Sequence, residues 1–139
     1  ATRRSSAWAR RWATQSVTGD DLQRLHALQA KMTEAKASAQ SEHYLDWNYQ
    51  FHFTVYRAAR SPLLIPMIER LWLRAGPYLN ALRTEVTLGV GLDAHDQVLD
   101  ALARSDPAAA RHAVESEISE AAGVMGRALI ANPEREAAE

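Results

Sequence analysis

Hydrophobic positions recur at helical spacing along nearly the whole chain, and no run alternates convincingly as a strand does. Leu22, Leu25, Leu28 and Met32 mark one face of a helix opened by Thr18-Gly19-Asp20-Asp21, with the threonine as N-cap and the aspartates as an acidic first turn. A shorter helix is expected before it, over 4–15. The next is expected over 41–59, capped by Ser41, with Tyr44, Phe51, Val55 and Ala59 as its apolar stripe. Ser61-Pro62 ends that helix and starts another, since proline suits the first helical position. The helix that follows is apolar nearly all round (Leu63, Leu64, Ile65, Ile68, Leu71, Trp72, Leu73), which predicts a central place in the fold, with Pro66 and Pro77 as candidate kinks. Beyond the glycine-bearing loop TLGVG (87–91), two more helices, over 92–104 and 107–131, are split by Ser105-Asp106-Pro107 as turn, N-cap and first-position proline. The expectation is an all-α, antiparallel helical bundle of about six helices joined mostly by short loops. Residues 1–15 read as a junction and first helix, 5–131 as the folded domain, and 132–139 as an Ala/Glu tail that frays.

Four polar residues interrupt these apolar stripes. Asn48 and His52 lie within the stripe of the 41–59 helix, about 40° apart around its axis. His95 sits on the face of Val98, Leu99 and Leu102, and Glu117 falls among Ala110, Val114, Ile118, Ala121 and Met125. His95 lies eleven residues before Asp106 and Glu117 eleven after it. Two helices folding back at that turn therefore bring both residues to one height, roughly 16 Å from the turn. An unpaired buried carboxylate is expensive, so Glu117 needs a cation, a hydrogen-bond partner or water. Two imidazoles, a carboxylate and an amide oxygen suit zinc, nickel, manganese or iron. Each residue also has a plain alternative: a hydrogen-bonded core histidine, an interhelical asparagine, or a Glu117–Arg74 ion pair. His26, His43 and His112 fall at stripe edges or outside them and are expected away from any site.

Composition narrows the classes. Apolar residues at 47% and charged residues at 24% exclude a disordered or membrane-embedded chain. The longest apolar run is far short of a bilayer span, and nothing resembles a signal peptide. The absence of cysteine excludes disulfides and thiolate metal sites and fits a reducing cytoplasm. A net charge of -1 gives the chain as a whole no electrostatic reason to bind nucleic acid. Only the beginning, ATRRSSAWARR, is basic, with four arginines in eleven residues.

Three stretches carry a family resemblance. NYQFHFTVYRAARSPLL (48–64) resembles an Asp/Asn-x-x-Phe-His helix followed by a short break and an apolar helix. AHDQVLDALARSDPAAARHAV (94–114) is similar to a His-led helix, an Asp-Pro turn and an alanine-rich start, and TGDDLQRLHALQAKM (18–32) fits the helix that precedes both. In this order and spacing they resemble the all-helical FadR C-terminal (FCD) effector domain of GntR-type transcriptional regulators, over about residues 5 to 130. The resemblance implies a sensing and dimerising domain rather than an enzyme. It also implies a homodimer, with Trp8 and Trp12 as candidate contacts. Operator DNA would be reached only through a winged helix-turn-helix domain joined at RRSSAWARR and not encoded here. In many members an Asp or Asn and three histidines hold a central divalent metal. Asn48, His52 and His95 match the first three positions, and Glu117 falls where the family usually has histidine. That departure leaves two outcomes: a metal site of altered preference, or a metal-free effector pocket like that of the branch named after FadR.

The expected effector is a small organic acid whose carboxylate completes the metal's open positions. Trp72, Tyr78, Phe51 and Val55 would shape its pocket, and Arg74 or Arg83 would neutralise it, since arginine forks match carboxylates. Two other classes stand beside this one. A metal-dependent helical-bundle hydrolase would carry Glu-x-x-His pairs for a di-iron centre, which the chain lacks, or a base beside a single metal. A purely structural dimerising module predicts a dry centre held by side-chain hydrogen bonds alone.

Overall fold

In a computed structural model, residues 17–40, 42–58, 63–79 and 91–131 are described. Every regular element among them is an α-helix: α1 Gly19–Ala37, α2 Tyr44–Ala58, α3 Leu64–Leu79, α4 Leu92–Ala103 and α5 Pro107–Ala131. The helix expected over 4–15 and the tail 132–139 lie outside the described residues, as do Ser41 and most of TLGVG.

Local chemistry sets most helix ends. The Thr18 hydroxyl accepts from the Asp21 amide at 3.1 Å and the Asp21 carboxylate accepts from the Thr18 amide at 3.0 Å, closing a reciprocal cap on α1. At its other end Ala39 takes a left-handed φ of 54°. The Gln40 amide then donates to Ala35 O at 2.8 Å and the Ala39 amide to Lys36 O at 3.3 Å, which satisfies two of the carbonyls a helix end leaves open. α4 ends in the same way. Ser105 has φ 53°, Asp106 N donates to Ala101 O at 2.8 Å, and Ser105 N donates to Leu102 O at 3.0 Å. Asp106 then caps α5 by accepting from the Ala109 amide at 3.0 Å. α2 differs from expectation: residues 42 and 43 form a turn and the helix starts at Tyr44, three residues later than the sequence pattern suggests.

α4 and α5 pack along each other as a hairpin, and α1 lies against both α2 and α4. Leu25, Leu28 and Met32 of α1 meet Tyr44 and Phe51 of α2, Leu92, Val98 and Leu99 of α4, and Ala113 of α5 in one buried cluster. The polar intrusions therefore sit at the centre of these four helices.

α3 departs from its expected central place. It packs mainly against α2, where the Trp72 ring meets Tyr49 edge-on at 5.4 Å and Phe53 at 5.8 Å. Leu71 and Leu73 remain 64% and 80% exposed. The other four helices enclose the core with their own stripes, so an apolar surface on α3 finds its main described neighbour in α2. The helix runs unbroken past Pro66, which sits in its first turn where no intrahelical hydrogen bond is lost, and past Pro77.

Candidate metal centre

The hairpin register brings His95 and Glu117 together as the count from Asp106 requires, and α2 adds His52. Glu117 Oε1 lies 2.9 Å from Nε2 of His52 and 2.9 Å from Nε2 of His95, and the two ring nitrogens are 3.4 Å apart. All three side chains are buried, and one ligand atom from each falls within 4.8 Å of the others. The second carboxylate oxygen, Glu117 Oε2, is buried with no hydrogen-bond partner among the described residues.

Burial alone raises the Glu117 carboxyl, but the contacts and charge of His52 and His95 outweigh it and bring it down to about 2. The group is therefore a carboxylate at neutral pH. Tyr56, one turn beyond His52, places its hydroxyl 3.4 Å from His52 Nδ1. Burial, with the Glu117 charge adding to it, pushes that hydroxyl up to about 12, so it stays protonated.

Other residues hold this arrangement in place. Phe51 stacks on the His95 ring at 4.1 Å and 20°, fixing its plane. Gln29 of α1 reaches His95 Nδ1 with its side-chain oxygen at 3.1 Å, and its nitrogen donates to Leu92 O at 2.9 Å and Asp96 Oδ1 at 3.0 Å. Gly91, which precedes α4, has φ 88°, and a Cβ there would fall 2.8 Å from Glu117 Oε1. The glycine leaves room for the carboxylate.

Of the four expected ligands, three converge. Asn48 is buried one turn before His52, but no hydrogen bond joins it to them. Trp72 lies beside the cluster, its ring 5.8 Å from that of His52. Val55 is half-buried and packs on the hydrophobic core, while Arg74 is exposed on α3. Arg83 lies outside the described residues, as does the side chain of Tyr78. The alternative Glu117–Arg74 pair is replaced by the two histidine contacts. His26, His43 and His112 are exposed, as their places off the stripes suggest.

Sequence reading missed Gln29, Tyr56 and Gly91. Gln29 had a signal, because it lies between Leu25, Leu28 and Met32 on the α1 stripe and is the same kind of polar intrusion as Asn48. Tyr56 follows His52 at helical spacing. Nothing in the sequence marks Gly91 beyond its being a glycine before a helix.

Two imidazoles and a carboxylate are donors suited to a first-row divalent metal, and an Oε2 with no partner among the described residues fits a site that accepts a positive charge.

Residues 7–120 match the FCD domain family. The chain is 32% identical over 108 residues to the Exu regulon transcriptional regulator of Escherichia coli strain K12, covering 74% of this chain and 40% of that protein. It is 30% identical over 103 residues to the HTH-type transcriptional regulator McbR of the same strain, covering 72% of this chain and 47% of that protein. The solved structure of E. coli McbR/YncC is similar with a TM-score of 0.76 at 26% identity, over 86% of this chain and 61% of that one. The chain thus spans less than half the length of these curated relatives, which are transcriptional regulators and not enzymes. By its matched span, its helical bundle and these relatives, the chain belongs to the FCD domain family of GntR-type transcriptional regulators.

Proposed function

We propose that this chain is the effector-sensing and dimerisation domain of a GntR/FadR-type transcriptional regulator, and that it binds a small organic acid at a divalent metal held by His52, His95 and Glu117. Asn48, buried one turn before His52, is the fourth candidate donor. One observation carries the reading: ligand-type atoms from three helices lie within 4.8 Å in a buried site, and one belongs to a carboxylate whose other oxygen has no hydrogen-bond partner among the described residues. Zinc, nickel, manganese or iron suits this donor set. The metal, when bound, supplies positive charge that offsets Glu117 and attracts the effector's carboxylate. The protein's own residues do the rest. Phe51 holds the plane of His95, Tyr56 and Gln29 touch the outer ring nitrogens, and Trp72 walls the side of His52.

Regulation follows if the effector favours one arrangement of α2, α4 and α5, since a ligand shifts an equilibrium only by its differential affinity for two states. A winged helix-turn-helix domain elsewhere in the protein would read operator DNA, a division that fits the net charge of -1 here.

A second reading has its own support. Glu117 Oε1 contacts both imidazoles at 2.9 Å, a set of contacts that closes without an ion, so a metal-free effector pocket is the alternative. Elemental analysis of the purified chain decides between them, together with calorimetry of small carboxylates against metal-loaded and chelator-treated protein. We expect one equivalent of a first-row metal, and carboxylate binding that disappears on chelation and returns on reloading. Carboxylate binding indifferent to chelation selects the metal-free pocket, and absence of both metal and carboxylate binding refutes both readings.

A further inference from the structure

Gln29 lies on α1, the one helix of the central four that contributes nothing to the His52–His95–Glu117 cluster. Its side chain is 6% exposed and makes three contacts. Those contacts determine which way its amide points. Leu92 O is a carbonyl and Asp96 Oδ1 a carboxylate oxygen, so both can only accept. They lie 2.9 and 3.0 Å from the same Gln29 atom, which must therefore be the nitrogen, giving one hydrogen to each. A flipped amide would set an oxygen against two acceptors in a buried place, leaving all three without a proton between them. The remaining atom, Oε1, faces His95 Nδ1 at 3.1 Å and can only accept. His95 Nδ1 must then be the donor.

The consequence falls on the other ring nitrogen. A neutral imidazole carries one N–H and one lone pair. With the proton assigned to Nδ1, the lone pair offered to a metal is that of Nε2, the atom that lies 3.4 Å from His52 Nε2 and 2.9 Å from Glu117 Oε1, a carboxylate oxygen that in the metal's absence can only accept from it. We propose that Gln29 is a positioning residue of this site: anchored by Leu92 O and Asp96, its amide keeps the His95 proton on Nδ1 and so directs Nε2 into the cluster as a ligand. Phe51, stacked on the ring, keeps the plane from turning while Gln29 sets the proton. Because Leu92 and Asp96 flank His95 on α4, the amide also ties α1 to the first turn of the helix that carries the ligand.

The role of Nε2 rests on the metal reading above, but the proton on Nδ1 does not, and the two are tested separately. The first measurement is a long-range proton–nitrogen correlation spectrum of the isotope-labelled, metal-free chain, with His95 assigned by the loss of its signals in His95→Gln. We expect a proton on Nδ1, whatever the state of Nε2; a bare Nδ1 overturns the proposal. The second is zinc affinity, read by competition with a chromophoric chelator. Gln29→Leu, with its helical circular dichroism retained, should bind zinc about 10–100-fold more weakly, and an affinity within about twofold of the parent overturns the proposal. The paired exchange Gln29→Glu with Asp96→Asn keeps an acceptor on Nδ1 and returns a donor to it from position 96, at the loss of the bond to Leu92 O. It should recover most of the affinity, and failure of a folded paired variant to do so counts against the amide's role. If Gln29→Leu does not fold, the Nδ1 proton and the paired exchange decide the question. A parent chain that takes up no zinc refutes the metal reading, and the spectrum still decides whether Gln29 sets the His95 proton.

Discussion

Glu117 joins two imidazoles through one oxygen, and its acid–base behaviour follows from the competition between burial and those two partners. Burial opposes its charge, and His52 and His95 more than compensate, so its carboxyl falls from 4.5 to about 2. A depressed carboxyl pKa means that the unfolded chain takes up the proton first as pH falls. The stabilisation is therefore complete above about 4.5 and is lost as pH drops toward 2. Urea midpoints of chelator-treated protein between neutral and acid pH should fall across that window, and Glu117→Gln should flatten this dependence. An equally steep fall in the variant would place its origin in other carboxylates. Gly91 tests the same carboxylate by sterics. Any L-residue at φ 88° carries backbone strain, on the order of 1–2 kcal/mol. Here a Cβ also falls 2.8 Å from Oε1 and 2.9 Å from Cγ of Glu117. Gly91→Ala should destabilise a Glu117→Ala background by only the backbone share of about 1–2 kcal/mol, and the parent by clearly more than that. Equal losses in the two backgrounds would show that the close approach is not felt.

Helix ends show how far local chemistry reaches. Thr18 with Asp21, and Ser105-Asp106-Pro107, are legible in the sequence because a cap needs only neighbours within one turn, and both ends fall where the sequence places them. The start of α2 at Tyr44 is not, because a polar residue such as Ser41 near a helix start is only one of several places where it can begin. Ala39 and Ser105 also escape sequence reading: both occupy the left-handed position that usually goes to glycine. Ala39→Gly removes about 1–2 kcal/mol of strain and adds back roughly 0.4–1 kcal/mol of unfolded-chain entropy, so a net gain of up to about 1.5 kcal/mol is expected. A denaturant midpoint unchanged or lowered by Ala39→Gly would mean that the α1 terminus is not held in this form. The site divides along the same line. His52, His95 and Glu117 are legible because polar residues on apolar stripes point inward and the eleven-residue counts fix their height. Tyr56 meets His52 within α2 itself, whereas Gly91 takes its role from Glu117 on α5, which its local sequence does not contain.

At the scale of the whole molecule, α3 is where periodicity misleads. A helix apolar on nearly all sides must be covered, but its sequence does not say by what. Within the described chain α2 covers one side, through Trp72, and Met67 and Leu71 remain 64% exposed each, one turn apart on the same face. Large apolar side chains grouped on a surface mark an interface more often than chance exposure. Leu63, four residues before Met67 and 80% exposed, extends the stripe. A second copy of this chain is the partner that the dimerisation reading supplies, and it makes a definite prediction. Sedimentation equilibrium should show a dimer at micromolar concentration, and Met67→Glu with Leu71→Glu should give a monomer of undiminished helical content. Zinc uptake should survive in that monomer, because among the described residues α3 meets the cluster through Trp72, whose place on α2 the two substitutions leave intact. A variant that loses zinc together with the dimer would instead mean that the site is completed across the interface. A variant that remains dimeric would move the interface to Trp8 and Trp12, the candidates that the sequence itself offers.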